Sequence, residues 1–329
     1  MGKKLKALIT STFNETYLKK LNEIIEVEYR NWVDIKRPYS EKEIIKMGKD
    51  KDILIVDLEK INNVVINNLK IVKLIGCTRG NPVDIDLKIL QEKGIPLITT
   101  PGRNATTVAE LTVAFIIMGL RHINESNMYI NEKRWLIESE LTPYLVFKSK
   151  SFEEAVVGII GFGSVGKELA RMLEAFNFRI LVYDPYIKED FKGKSLNIVD
   201  MDYLLKESDV ITIHCSLNEE TKNLIKYDDF LNMKNSAVFI NTARAGIVNQ
   251  LDFKKALRER LIREAYLDVF ENEPLDCNDE LYSMKNVYMT PHIGGASEKV
   301  DELHSRMIYE DILNYINHRK LKHEFQIKD

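Results

Sequence analysis

The chain has 329 residues, 45% hydrophobic and 29% charged, with a formal net charge of −3. That length exceeds one ordinary core and implies two domains. The near-balance of charge gives no electrostatic case for nucleic acid or for a membrane surface as partner.

Cys77, Cys215 and Cys277 are scattered without a CxxC pair, which fits a reducing, cytoplasmic compartment. No His/Cys cluster has the spacing of metal ligands, so no metal is expected. The N-terminal "MGKKLKALIT" lacks the apolar run of a signal peptide, and Lys6 breaks the myristoylation pattern.

In chain order, "KALIT", "IIEVEYR", "DILIVD", "IVKLIG" and "IPLITT" read as short strands. The segments between them, "NETYLKKLNE", "SEKEIIKMGK", "INNVVINNL" and "DIDLKILQEKG", carry helical apolar spacing. Such alternation, with uninterrupted apolar strands, predicts an α/β class with a parallel sheet covered on both faces. "VAELTVAFIIMGL", Val108 to Leu120, is too short to span a bilayer and is interrupted by Glu110, so it reads as a buried helix. A long apolar helix is expected near 104–130, leading from one unit to the other.

A second series, "AVVGIIG", "FRILVYD", "VITIHC", "AVFINTA", "REAYLDVF" and "VYMTP", predicts a second parallel sheet. A last amphipathic helix, 297–317, has no strand left to join there and is expected to pack back on the first unit.

"VVGIIGFGSVGKEL" places Gly161, Gly163 and Gly166 in GxGxxG spacing between a β-branched strand and a helical pattern. The glycine pattern alone is weak, but this context makes it a dinucleotide fingerprint. Gly161 serves the tight turn, Gly163 the approach of the pyrophosphate and Gly166 close helix–strand packing, while the helix N-terminus supplies free N–H donors. Asp184 ends the next strand, eighteen residues past Gly166. Its carboxylate would accept the adenosine ribose hydroxyls and repel a 2′-phosphate, so NAD is preferred to NADP.

Further strand ends in this unit carry Arg244 in "NTARAG", Glu273 in "LDVFENEPL" and His292 in "MTPHIGGAS". Singly, each has an ordinary explanation as a surface residue, a cap or a satisfied polar group. Ligands of open parallel sheets bind at the carboxyl ends of the strands, so the three can converge on one crevice.

The segments "GFGSVG", "VYDP", "NTARAGIVN", "LDVFENEPL" and "TPHIGGAS", with "NATTVAELT" and the following Trp135, closely resemble the D-isomer-specific 2-hydroxyacid dehydrogenases, especially the phosphoglycerate dehydrogenase-like branch. The resemblance implies two doubly wound parallel-sheet domains. One is a discontinuous, flavodoxin-like substrate domain (1–101 plus 297–329), and the other an inserted Rossmann NAD domain (102–296).

It also implies an NAD-dependent oxidoreductase for a small 2-hydroxy or 2-keto acid, with 3-phosphoglycerate or another anionic substrate among the candidates. Arg244 would hold the carboxylate and neighbouring carbonyl in its guanidinium fork. His292 would donate or accept the proton, and Glu273 would fix its tautomer and raise its pKa. By the same match, Ser164 and Val165 face the pyrophosphate, Cys215 borders the adenosine side, and Asp268 lies near the nicotinamide carboxamide. Thr242, Ala243, Gly294 and Gly295 line the cofactor. Glu273 argues against formate-type chemistry, where the family has Gln.

The chain departs from the pattern at "GCTRGNPVDID", the loop where the family binds substrate carboxylate through backbone N–H groups. There Arg79, beside Gly80, either meets a second anionic group on the substrate, or caps the sheet end or pairs with a surface acid. Arg103 is expected to be solvent-exposed. "LVFKSKSFEEAVV" carries Lys and Phe residues that could reach the cleft. The chain ends shortly after the last helix, so control by serine through a C-terminal regulatory domain is not expected.

A different class of function stays open, an NAD(H)-sensing, corepressor-like binding protein of the same fold. The helix Val108–Leu120, apolar on nearly all faces, together with the resemblance, predicts a homodimer.

Overall fold

The computed structural model describes residues 4–187 and 195–326. Gly2, which belongs to the N-terminal pattern considered above, lies outside them. The chain divides into two compact units, Met1–Arg103 with Ser297–Asp329, and Asn104–Ala296.

The first unit carries a five-stranded parallel sheet in the order β2-β1-β3-β4-β5. Its strands are β1 (Lys6–Ile9), β2 (Glu26–Tyr29), β3 (Ile53–Val56), β4 (Leu74–Cys77) and β5 (Leu97–Ile98). β3 and β4 are buried along their whole length, as their unbroken apolar sequences require. One face packs on Ile44, Val65, Ile66 and Leu90 of the intervening helices. The other packs on Leu21 and on Ile308 and Ile312 of the last helix, Glu298–Ile316. Each such buried Leu or Ile contributes roughly 1.5–3 kcal/mol.

That helix is further tied by Asp301, which accepts a hydrogen bond from Thr12 Oγ1 (2.9 Å), and by Ser305 Oγ, which accepts from the Asn14 backbone N–H (2.9 Å). Beyond it the chain returns to the free edge of β5. Glu324 bridges Ile98 in antiparallel fashion and Phe325 N–H donates to Leu97 O at 2.7 Å. The fully buried carboxylate of Asp311 holds this tail by accepting the backbone N–H groups of Lys322 (2.6 Å) and His323 (2.9 Å).

The second unit carries a seven-stranded parallel sheet in the order β12-β11-β10-β9-β6-β7-β8. The strands are β6 (Val156–Ile160), β7 (Arg179–Tyr183), β8 (Leu196–Ile198), β9 (Val210–Ile213), β10 (Val238–Asn241), β11 (Glu264–Leu267) and β12 (Val287–Met289). The order reverses at the β6/β9 boundary, the switch point where a doubly wound sheet opens a crevice for ligands. The sequence reading missed β8, whose Leu196 alone is buried, and the short helix Trp32–Ile35, which has no buried residue. An apolar pattern cannot reveal elements that bury almost nothing.

The long helix expected near 104–130 is broken. Ala105–Leu120 and Ile123–Asn131 meet at a 58° bend, with His122 in the left-handed region at φ 52°. The apolar character of Ala105–Leu120 is largely consumed inside its own unit. Ala109, Phe115 and Ile116 join the core with Val238 and Tyr266. Exposed apolar side chains gather instead on Arg134–Ile137 and Thr142–Val146, where Leu136, Ile137 and Tyr144 are 84%, 83% and 77% exposed. Among the described residues no single helix is long and apolar enough to cross a membrane.

The segment before the fingerprint does not reach the carboxyl ends of the strands. Lys150 pairs at 2.9 Å with Asp209, which precedes β9 and so marks the opposite end of the sheet. Phe152 stacks on the buried Phe178, and Phe147 meets Tyr129 edge-on. An available carboxylate and an apolar wall claim these side chains.

Candidate active site

The fingerprint folds as the turn between β6 and the helix Ser164–Ala175. Gly161 has φ 93°, and a Cβ there would come within 2.4 Å of the Cys215 backbone nitrogen. A Cβ on Gly166 would lie 2.3 Å from Gly161 O, whereas one on Gly163 would meet nothing. Gly163 is the N-cap and supplies no side-chain cap, so the first-turn N–H groups of Ser164, Val165 and Gly166 are left for an external acceptor. Open space beside uncapped N–H donors fits a pyrophosphate.

Asp184 closes the other side. Its Oδ2 accepts the Phe162 N–H at 2.7 Å and its Oδ1 the Tyr186 N–H at 2.9 Å. This carboxylate therefore also braces the glycine turn. Cys215 follows β9 at the switch point, and burial pushes its thiol up to about 11, so it is no thiolate at neutral pH.

The ends of β10, β11 and β12 are adjacent in the sheet, through the pairs Asn241↔Leu267 and Leu267↔Met289. Arg244 follows β10 and is exposed, with Nη1 donating to Ala243 O. The buried Asn241, absent from the sequence reading, clasps this loop. Its Oδ1 accepts the Ala243 N–H and its Nδ2 donates to Arg244 O, each at 3.0 Å. A polar residue ending an apolar strand was the available signal. Thr242 is buried, and its hydroxyl lies 3.1 Å from that of Thr112. Thr112 donates to Val108 O, so the Thr242 hydroxyl is the donor of that pair.

His292 and Glu273 meet directly. His292 Nδ1 lies 2.6 Å from Glu273 Oε2, while Glu273 Oε1 accepts the Phe270 N–H at 3.0 Å. Burial pushes the Glu273 carboxyl up, but the hydrogen bonds from His292 and Phe270 and the charges of His292 and Arg244 outweigh it. The net result lies below the ordinary carboxylate range, so Glu273 is ionised at neutral pH. An ionised carboxylate on Nδ1 requires N–H there and leaves Nε2 for proton exchange.

His292 sits at φ 53°, a conformation fixed from below by Asp268. This carboxylate is 1% exposed and accepts from Thr290 Oγ1 (2.6 Å), Ile293 N–H (2.8 Å) and Gly294 N–H (2.8 Å). A Cβ on Gly294 would lie 2.9 Å from Asp268 Oδ2, and Gly295 follows beside Asn104. The sequence suggested a cofactor contact for Asp268 and missed this bracing of the histidine turn.

In the first unit, Arg79 follows β4 and its Nε donates to Asp57 Oδ1 at 2.9 Å. Gly80 lets the loop close on Pro101, whose Cα a Cβ would meet at 3.0 Å. Arg103 is not solvent-exposed. Its side chain is 20% accessible, burial lowers its pKa, and Nη1 lies 3.0 Å from Nδ1 of the fully buried His304. His304 Nε2 donates to Thr12 O at 2.8 Å, so Nδ1 accepts from Arg103 and the ring is neutral. Burial, with the neighbouring Arg103 charge, lowers the His304 pKa accordingly.

A parallel sheet switching at a glycine turn, with a carboxylate on the neighbouring strand and a Glu–His pair on the same rim, defines an NAD-dependent oxidoreductase of the Rossmann class. The profile of the D-isomer specific 2-hydroxyacid dehydrogenase NAD binding domain matches residues 113–294, and the chain belongs to this family. It is 37% identical over 305 residues to YoaD of Bacillus subtilis, covering 90% of this chain and 87% of that one. It is 31% identical to a glyoxylate reductase of Korarchaeum cryptofilum, covering 95% and 93%. The structure of TT0316 from Thermus thermophilus matches with a TM-score of 0.83 at 27% identity, over 98% of this chain and all of that one. The chain acts on CH–OH groups, as the dehydrogenases and reductases of the family do.

Proposed function

We propose that the chain interconverts a small D-2-hydroxy acid and its 2-keto acid. The glycine turn, the first-turn N–H groups of Ser164, Val165 and Gly166, and Asp184 would hold NAD, which would provide the hydride chemistry. Arg244 pairs with the carboxylate of the acid and polarises the carbonyl, stabilising charge that develops on its oxygen. His292 gives that oxygen its proton from Nε2 in reduction and removes it in oxidation. Glu273 holds the ring in one tautomer and stabilises the imidazolium form. The observation that carries this reading is the 2.6 Å contact between His292 and an ionised Glu273 that also feels the charge of Arg244.

The reading covers glyoxylate-like acids and acids with a second anionic group, 3-phosphoglycerate among them. NADH oxidation with a panel of 2-keto acids tests it. Tight NADH binding without reduction of any keto acid would replace it by the sensing function.

We further propose a homodimer, built on the exposed apolar side chains of Arg134–Ile137 and Thr142–Val146 rather than on Ala105–Leu120. Light scattering at micromolar concentration should give twice the chain mass, and Leu136→Lys with Ile137→Lys should give monomer.

A further inference from the structure

The sheet order of the first unit reverses between β1 and β3. In this topology the ligand crevice opens at that reversal, beyond the strand carboxyl ends. The residues there are Thr10, Ser11 and Thr12 after β1, and Asp57, Leu58 and Glu59 after β3.

Asp57 lies at the centre of this rim. It is 9% exposed, accepts from Arg79 Nε at 2.9 Å and has Arg103 Nη2 at 4.0 Å. Glu59 Oε2 accepts the backbone N–H groups of Asp57 (2.9 Å) and Leu58 (3.1 Å), which fixes the loop. Ser11 Oγ and Glu59 Oε1 are buried without a partner among the described residues.

In the loops after β1, β3, β4 and β5, the buried or half-buried charges are thus three carboxylates, Asp57, Glu59 and the helix cap Asp86, against two guanidinium groups, Arg79 and Arg103. Asp301, on the helix packed over this rim, adds a further carboxylate at Thr12 Oγ1. His304 contributes no charge, because its Nδ1 is an acceptor. An anionic ligand group would meet no excess of positive charge here, because the Arg79 fork is already paired with Asp57. A hydroxyl suits the rim better, donating to a carboxylate and accepting from the half-exposed Arg79 fork.

We propose that Asp57 is a specificity determinant, selecting 2-keto acids whose distal end is an uncharged hydroxyl over those ending in phosphate or carboxylate. This rests on the function proposed above, with the first unit as its substrate-binding part.

The test is kcat/KM for NADH oxidation with glyoxylate, hydroxypyruvate, 3-phosphohydroxypyruvate and oxaloacetate, using the full chain. The wild type should favour hydroxypyruvate over its phosphorylated and carboxylated counterparts by about tenfold or more, the scale of one unfavourable charge contact near a surface. D57N should shrink that ratio by about tenfold, chiefly through KM for the anionic acids, and D57E should preserve it. Should D57N fail to fold by circular dichroism, R79M provides the second reading. It should lower kcat/KM for hydroxypyruvate several-fold more than for glyoxylate.

A wild-type preference for the phosphorylated acid, or a D57N ratio within about twofold of wild type, would overturn the assignment. Failure of the underlying function looks different, because the wild type would then reduce none of the four acids.

Discussion

The two sheets share one architecture and differ at their rims. In the five-stranded sheet, the guanidinium groups beyond the strand ends are spent on internal partners: Arg79 on the carboxylate of Asp57, and Arg103 on the neutral ring of His304. In the seven-stranded sheet, Glu273 and His292 also pair, but they and Arg244 stay exposed with His292 Nε2 outward of that pair, and a helix begins without a side-chain cap. Internal pairing suits a surface that discriminates between ligands by shape and charge. Unspent valences suit a surface that binds phosphates and moves protons. A parallel sheet thus supplies the place, while the degree of internal satisfaction decides what the place can do.

The sharpest way to break the contrast is His292→Gln. Turnover should fall about 10²–10⁴-fold, the contribution of a positioned acid, while NADH affinity by fluorescence titration changes little. Equal loss of both would place His292 in cofactor binding instead.

Glu273→Gln comes next, with kcat expected to drop about ten- to a hundredfold, because a neutral amide cannot stabilise the imidazolium. Its pH dependence follows from the sign of the shift. The folded Glu273 pKa is lowered, so its brace is complete above the ordinary carboxylate value of 4.5 and is lost as pH falls through the lower folded value. A profile of kcat/KM in the wild type should therefore stay intact to about pH 4.5 as far as Glu273 is concerned, and E273Q should abolish any acid limb below it.

Gly161→Ala probes the other half of the rim. The new methyl would meet the Cys215 backbone at φ 93°, and this strain should cost about 1–3 kcal/mol in urea melts and weaken NADH binding. A variant of unchanged stability would refute the close approach.

A last test concerns His214, buried behind the same rim and hydrogen-bonded to Thr212 Oγ1 at 2.9 Å. Burial lowers its pKa from 6.5 to about 3. A histidine held neutral contributes stability that is complete above 6.5 and is lost as pH falls toward 3. The melting temperature should decline over that window, and less steeply in His214→Gln.

Much of this was legible in the sequence. Apolar β-branched runs mark β3, β4, β6, β9 and β10 because those strands are buried on both faces. The glycine spacing and the strand-end Arg, Glu and His were visible for the same reason, since they interrupt an apolar pattern. What escaped was pairing across distance. Nothing near Arg103 in sequence announces His304, and nothing near Arg79 announces Asp57. The break at His122 was also missed, although the apolar run stops at Leu120 and Asn124, Glu125, Ser126 and Asn127 are polar. Asp268 was visible as a residue but not as the support of the turn that carries His292.

The helix Glu298–Ile316 carries one more consequence. It lays Ile308 and Ile312 against Ala7 and Ile9, and it bonds to Thr12 across a separation of 289 residues. During synthesis the oldest strand must therefore wait for the youngest helix, while Asn104–Ala296 has all of its own parts earlier. Order of manufacture and order of completion are reversed between the two halves, and the half made first is finished last.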